Sequence, residues 1–148
     1  MKITRFEDLE CWQEARALTN RVFVLTTQLP FNKAFRLADQ MTGAAISVMN
    51  NIVEGFDSQS NAEFIRFLSY ARRSGSEVQT CLYVALDNGF IKELQFQDVY
   101  QQALKTRQVV DGLLRYLRSC SRDERTQRAQ RTKRAQPIYD ANRPVART

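Results

Sequence analysis

Apolar side chains recur at alternating intervals of four and three residues through two long segments of this sequence. The first repeat consists of Phe64, Leu68, Ala71, Gly75, Val78, Leu82 and Ala85. The second consists of Val99, Ala103, Thr106, Val110, Leu113, Leu117 and Cys120. A sustained spacing of about 3.5 residues is typical of helices that pack side by side at a small crossing angle. The pattern therefore predicts two long, closely packed helices.

Local signals predict where these two helices begin and end. Ser60, followed three residues later by Glu63, forms a capping box that predicts the start of the first, and Asn88-Gly89 predicts its end. The second is expected to extend from about Lys92 to Cys120. Because only a few residues separate them, the two helices are expected to lie antiparallel.

Two earlier segments also show helical spacing. The first extends from about Phe6 to Gln28 and is expected to end before Pro30, whose ring cannot continue a helix. The second extends from about Lys33 to Glu54, and Gly55 is expected to end it in a left-handed conformation. The expected buried faces consist of Leu18, Val22, Leu25 and Leu29 in the first segment and Leu37, Met41, Ala44 and Val48 in the second.

Four helices joined by short loops predict an all-α, antiparallel up-down four-helix bundle in residues 1–120. With five Gly and three Pro in 148 residues, the chain has few helix breakers. Because one bundle core cannot absorb every large apolar side chain, we expect the bundle to self-associate. The surplus residues, outside the expected core faces, are Phe23, Ile46, Met49, Ile65, Phe67, Tyr70, Tyr83 and Val84.

The positive charge of the chain is concentrated at its C-terminal end. Residues 121–148 hold eight Lys or Arg and three Asp or Glu, whereas residues 1–120 hold 14 and 13. This tail contains few large apolar side chains, so we expect it to be disordered unless it is bound. A near-neutral folded body with a cationic tail indicates a partner that is a polyanion.

Twelve basic residues are candidates for nucleic-acid binding. Guanidinium groups bind phosphate in a bidentate geometry, which suits a nucleic-acid backbone. The tail has no aromatic residue before Tyr139, so its contacts are expected to be independent of base sequence. A tail that only improves solubility is the alternative. The candidates are Arg72, Arg73, Lys105, Arg107, Arg115 and Arg118 on the predicted helices and Arg122, Arg125, Arg128, Arg131, Lys133 and Arg134 in the tail.

A set of polar residues lies close to the predicted core faces of the second and third helices. The set comprises Asn51, Glu54, Ser74 and Glu77. Buried polar groups are costly unless they are hydrogen-bonded, so these residues are expected to form a structural set that fixes the register of the two helices. A catalytic pair formed by Glu54 and Glu77 is the less favoured alternative.

Several classes of function are disfavoured by what the sequence lacks. There is no histidine, which is the usual general base and the commonest metal ligand, and the three cysteines are far apart. No glycine-rich phosphate-binding motif is present. We therefore expect no catalytic residues, no metal and no cofactor. A polar N-terminus and the lack of a long apolar stretch predict a cytoplasmic protein without a signal peptide or membrane span.

Three blocks of the sequence resemble a known family. They are FEDLECWQEA at Phe6–Ala15, AAISVMNNIVEGFDSQSNAEFIRFLSYARRS at Ala44–Ser74 and LYVALDNGFI at Leu82–Ile91. They are similar to four-helix-bundle proteins encoded in 23S rRNA intervening sequences, a superfamily that includes relatives of the accessory variability determinant of diversity-generating retroelements. The resemblance implies a homopentamer arranged as a barrel, without catalytic residues. It also implies binding to nucleic acid and to a reverse transcriptase.

These observations together predict a non-enzymatic scaffold that binds RNA or DNA through phosphate contacts. Its expected role is that of an accessory protein to a reverse transcriptase in a diversity-generating retroelement. The alternative is a bundle encoded in a 23S rRNA intervening sequence that acts as an RNA-binding or protein-interaction module.

Overall fold

The structure, a computed structural model, describes residues 2–135, with the backbone alone at residues 133 and 135. It contains four long helices, and no strand occurs within these residues. The prediction of an all-α fold is confirmed. None of the described helices is long and apolar enough to cross a membrane. The helices are α1 at Glu10–Thr27, α2 at Phe35–Asp57, α3 at Asn61–Asp87 and α4 at Glu93–Ala135, with single 3-10 turns at Phe6–Asp8 and Phe31–Lys33.

The four helices form an antiparallel up-down bundle. Each helix packs against its neighbours in sequence, and α1 closes the ring by packing against α4. The register of α1 and α4 shows their opposite directions: Arg21 pairs with Asp98, whereas Glu14, earlier in α1, pairs with Lys105, later in α4. The predicted topology of the bundle is therefore confirmed.

The core consists largely of the positions that the apolar spacing predicts. In α3 every member of the repeat is buried except Phe64, which is half-buried. In α4 the predicted core position Leu113 is only half-buried, and its neighbour Leu114 is buried instead. The expectation for Leu29 is wrong, because α1 ends at Thr27 and leaves this side chain 70% exposed.

Three of the four predicted helix boundaries that rest on local signals are confirmed, including the end of α1 before Pro30. The side chain of Ser60 accepts a hydrogen bond from the backbone N–H of Glu63 at 3.4 Å and caps α3. Gly89 has a φ of 73° just after α3 ends. The prediction for Gly55 is wrong, because this residue is buried inside α2, which continues to Asp57.

Gly55 is required for close packing rather than for a turn. A Cβ atom at this position would lie 2.7 Å from Cδ2 of Phe64 and 3.1 Å from Cβ of Phe67, both on α3. These distances are shorter than an ordinary van der Waals contact, so the absence of a side chain lets α2 and α3 approach each other.

The fourth helix differs from the prediction at its C-terminal end. Instead of ending at Cys120, α4 continues without a break to Ala135, and residues 122–132 are exposed. Lengthening an existing helix fixes only one residue per new hydrogen bond, and Arg, Gln and Ala all favour the helical state. The expectation of disorder therefore does not hold for residues 121–135, here called the α4 extension. The rest of the predicted tail, residues 136–148, lies outside the described residues.

Candidate nucleic-acid interface

Four of the candidate arginines converge on one surface cleft between α3 and α4. The cleft has a volume of about 370 Å³ and is lined by Ser69, Arg72, Arg73, Asp111, Leu114, Arg115 and Arg118. We call it the arginine cleft. It brings four guanidinium groups from two helices together with a single carboxylate, so its net charge is positive. Such a site can bind phosphate groups by charge-assisted hydrogen bonds.

The single carboxylate of the cleft positions one of its arginines. Nε of Arg72 donates a hydrogen bond to Oδ1 of Asp111 at 2.6 Å. Both side chains remain partly exposed, so this pair adds at most about 1 kcal/mol to stability. Its main consequence is to hold the Arg72 guanidinium between the two helices while cancelling one of the four positive charges.

The other arginines of the cleft are held less tightly. The guanidinium of Arg73 lies 5.9 Å from the ring centroid of Tyr70, a distance at which a cation–π interaction is favourable. Within residues 2–135, neither Arg115 nor Arg118 forms an ion pair, and both are exposed. Their hydrogen-bond donors are thus available to an external anion.

Two other candidates on the helices lie outside the arginine cleft. Nζ of Lys105 forms an ion pair with Oε1 of Glu14 at 2.8 Å, on the α1 side of α4. Hydrogen bonds from Lys105 and then from Gln102 lower the pKa of Glu14. Arg107 is half-buried, packs over Gly75 and donates from Nη1 to Oε1 of Gln79 at 2.5 Å. The structure therefore places Lys105 and Arg107 in contacts between helices.

The α4 extension carries the positive surface beyond the end of the bundle. Arg118, Arg122 and Arg125 follow one another at intervals of four and three residues, so they lie on the same face of α4 as the cleft. Arg128, Arg131 and Arg134 continue at intervals of three, which rotates the stripe by about 60° per step. Asp123 and Glu124 lie off the face shared by Arg118, Arg122 and Arg125, on the side to which Arg131 and Arg134 turn. The side chain of Lys133, also a candidate, lies outside the described residues.

The predicted polar set is only partly assembled. Oγ of Ser47 and Oγ of Ser74 lie 3.0 Å apart, and Nδ2 of Asn51 donates to the backbone oxygen of Ser47 at 2.8 Å and to its Oγ at 3.0 Å. The Ser47–Ser74 bond links α2 to α3 close to the core, whereas the two bonds from Asn51 lie within α2 and hold Ser47 in place. Asn51 and Ser74 belong to the set that the sequence predicts, and Ser47, which joins them, does not.

The two carboxylates of the predicted set do not meet. Oε1 of Glu77 accepts a hydrogen bond from Nε2 of Gln40 at 3.2 Å. Gln40 and Glu54 are 14 residues apart on α2, which corresponds to about 21 Å along the helix. Glu54 is exposed. The alternative of a catalytic pair formed by Glu54 and Glu77 is therefore rejected.

An aromatic cluster between α3 and α4 was missed by the sequence interpretation. The ring centroid of Tyr83 lies 4.9 Å from that of Phe96 and 5.8 Å from that of Tyr100. Tyr83 is 50% exposed. It follows Arg72 by 11 residues, or about three helical turns, and this spacing could have indicated that both lie on the α4 side of α3.

The fold and the charge distribution define a class: an antiparallel four-helix bundle with a basic cleft on one pair of helices and a basic helical extension. The family described as 23S rRNA-intervening sequence protein matches residues 7–112, well over half of the chain. The chain belongs to this family, so the resemblance to proteins encoded in 23S rRNA intervening sequences is confirmed. The relation to the accessory variability determinant stays a prediction. The match ends before Arg115, so the α4 side of the cleft and the α4 extension lie largely beyond it.

A known crystal structure has the same fold. It is a protein with unknown function from the S23 ribosomal protein family of Bacteroides thetaiotaomicron, determined at 1.70 Å resolution. The two structures superpose with a TM-score of 0.66 and 18% sequence identity, covering 71% of this chain and 95% of that chain. No match to this chain is found among curated proteins. At 18% identity the similarity shows the fold alone.

Proposed function

We propose that this protein is a non-enzymatic scaffold that binds nucleic acid, with RNA as the favoured ligand and DNA as the second candidate. The observation that carries the proposal is the convergence of Arg72, Arg73, Arg115 and Arg118 on one cleft that contains a single carboxylate. Planar guanidinium groups from two helices match the charge and the bidentate geometry of phosphate groups better than scattered surface lysines would. Arg122 and Arg125, at the start of the α4 extension, prolong the same positive surface.

We also propose that the bundle assembles as a homopentamer, as the family resemblance implies. Three of the eight surplus apolar residues, Met49, Ile65 and Phe67, are half-buried by contacts within the bundle. The other five are each at least 39% exposed, and self-association would cover those that lie on a subunit interface. Five copies would present five clefts and five extensions, so weak phosphate contacts would add up to a high avidity. The exposed residues are Phe23, Ile46, Tyr70, Tyr83 and Val84.

The proposed biological role is that of a cytoplasmic accessory protein to the reverse transcriptase of a diversity-generating retroelement. This role rests on the resemblance of the three sequence blocks. The alternative is a protein encoded in a 23S rRNA intervening sequence that serves as an RNA-binding or protein-interaction module, which the family match favours. Co-purification with a reverse transcriptase encoded beside the gene would support the first role. A gene embedded in a 23S rRNA gene would support the second.

The binding proposal is tested by removing charge from the cleft. We expect the double variant Arg115→Gln/Arg118→Gln to bind single-stranded RNA at least about tenfold more weakly at low salt. The reason is that each phosphate contact releases counterions from the RNA, and a lost contact no longer contributes this favourable free energy. The logarithmic salt dependence of its affinity should be less steep by about 0.7 per lost contact. Fluorescence anisotropy with a labelled oligonucleotide measures both quantities.

The matched control removes the same charge elsewhere. The double variant Arg16→Gln/Arg36→Gln changes two exposed arginines on α1 and α2, away from the cleft. Equal loss of affinity in both double variants would show that overall charge, and not the cleft, governs binding. A protein truncated after Cys120 measures the contribution of the α4 extension; affinity equal to that of the full chain would remove the extension from the proposed interface.

A further inference from the structure

The arginine cleft is one end of a longer line of side chains between α3 and α4. Arg72 meets Asp111 at the cleft, and Tyr83 meets Tyr100 farther along the same pair of antiparallel helices. Between them, Arg107 bonds to Gln79. Arg72 and Tyr83 are 11 residues apart, which corresponds to about 16 Å along α3. A stacked strand rises about 3.4 Å per nucleotide, so that distance corresponds to at most about five nucleotides, and fewer when the strand is extended.

Tyr83 is suited to bind a flat group from outside the protein. Its ring is 50% exposed, while contacts with Phe96 and Tyr100 hold it in place from the α4 side. Phe96 and Tyr100 are themselves stacked, with centroids 5.2 Å apart, and Phe96 is buried. The tyrosine is therefore supported by a rigid aromatic base and loses little side-chain entropy when a ligand stacks on it.

A positive site and an exposed aromatic ring on the same side of one helix pair distinguish between forms of nucleic acid. A duplex presents phosphates to the arginine cleft, but its bases are stacked on each other and cannot reach Tyr83. A single strand can place phosphates in the cleft and splay an unpaired base onto the ring, because every base has a face that stacks.

We propose that the surface along α3 and α4 selects single-stranded over double-stranded nucleic acid, with phosphates in the arginine cleft and an unpaired base stacked on Tyr83. This inference rests on the proposed nucleic-acid binding and adds the form of the substrate. Tyr83 is also one of the exposed apolar residues that self-association could cover. Its contacts with Phe96 and Tyr100 nevertheless place it on the α4 side of α3, along the line that leads to the cleft.

The test compares single-stranded RNA of about 12 nucleotides, within the usual range of binding-site sizes, with a blunt RNA duplex of the same length. Tyr83→Leu keeps apolar volume but removes the ring. Loss of one stacked base should lower the affinity for the single strand by about 5- to 150-fold and leave the affinity for the duplex unchanged. Tyr83→Phe keeps the ring and should bind the single strand like the wild type.

Tyr116→Leu is the matched control, since Tyr116 is 63% exposed on α4 but does not line the cleft. It should leave the affinity for both ligands unchanged.

An unchanged affinity of Tyr83→Leu for the single strand, while Arg115→Gln/Arg118→Gln binds both ligands weakly, would overturn this inference and leave the proposed function intact. Absence of any binding by the wild type would instead overturn the proposed function. A change in oligomeric state of Tyr83→Leu by light scattering, with unchanged affinity per subunit, would assign the tyrosine to a subunit interface and also overturn the inference.

Discussion

Replacing Gly55 with alanine places a methyl group inside the contact between α2 and α3. The new Cβ would lie 2.7 Å from Cδ2 of Phe64, 3.1 Å from Cβ of Phe67 and 3.3 Å from Cα of Phe64. Two of these three atoms belong to the backbone or are attached directly to it, so rotation of the Phe64 side chain alone cannot relieve the contact. We expect the two helices to move apart locally.

The magnitude follows from two opposing effects. Alanine stabilises a helix interior by about 1 kcal/mol relative to glycine. Overpacking of a close contact costs about 1–3 kcal/mol. Gly112→Ala in α4 provides the matched control, because the nearest atom to its new Cβ is Nη2 of Arg115 at 3.9 Å. Gly112→Ala should therefore be more stable than the wild type, and Gly55→Ala should be less stable than Gly112→Ala by about 1–3 kcal/mol.

Urea unfolding followed by circular dichroism measures this difference. All proteins are compared at one concentration, because self-association would couple stability to concentration. The difference corresponds to roughly 2–4 °C in melting temperature per kcal/mol for a chain of this size. If Gly55→Ala is as stable as Gly112→Ala, the close approach of α2 and α3 at Gly55 is not what requires glycine there.

Two further predictions concern the cleft and the cysteines. Asp111→Asn removes the single carboxylate that lines the arginine cleft and releases Arg72. The affinity for RNA at low salt should therefore rise by roughly 2- to 5-fold in anisotropy titrations. A lower affinity would mean that the ion pair is needed to position Arg72. Burial raises the pKa of Cys11 to about 12 and also raises the pKa of Cys81, so both should stay protonated at pH 8. A thiol reagent should then modify the half-buried Cys120 first and the other two only on unfolding, and rapid modification of all three in the folded protein would contradict this.

Much of the fold could be predicted because its determinants are local in sequence. The interval of about 3.5 residues makes one face of each helix apolar whatever the helix packs against. The Ser60 cap and the left-handed Gly89 act within a few residues of the helix ends that they define. The end of α4 escaped prediction because basic, exposed residues can continue an existing helix as readily as they can form a disordered segment.

The candidate site was predicted less completely. The sequence named every arginine of the cleft but also named Lys105 and Arg107, which are in contact with Glu14 and Gln79 in the structure. It did not identify Asp111 as part of the cleft, or the cluster around Tyr83 as lying along the same two helices. Contacts of this kind depend on which faces of two distant segments meet, and apolar spacing within one segment carries no such information.

The sequence by itself determined the helices, the antiparallel bundle and the concentration of positive charge towards the C-terminus, because periodicity, capping and composition act along the chain. Only the tertiary structure decided that Arg72 and Arg73 of α3 face Arg115 and Arg118 of α4 across one cleft. It also decided that Gly55 serves packing rather than a turn. The physical reason is that the rotation and register of packed helices are set by contacts between residues far apart in sequence.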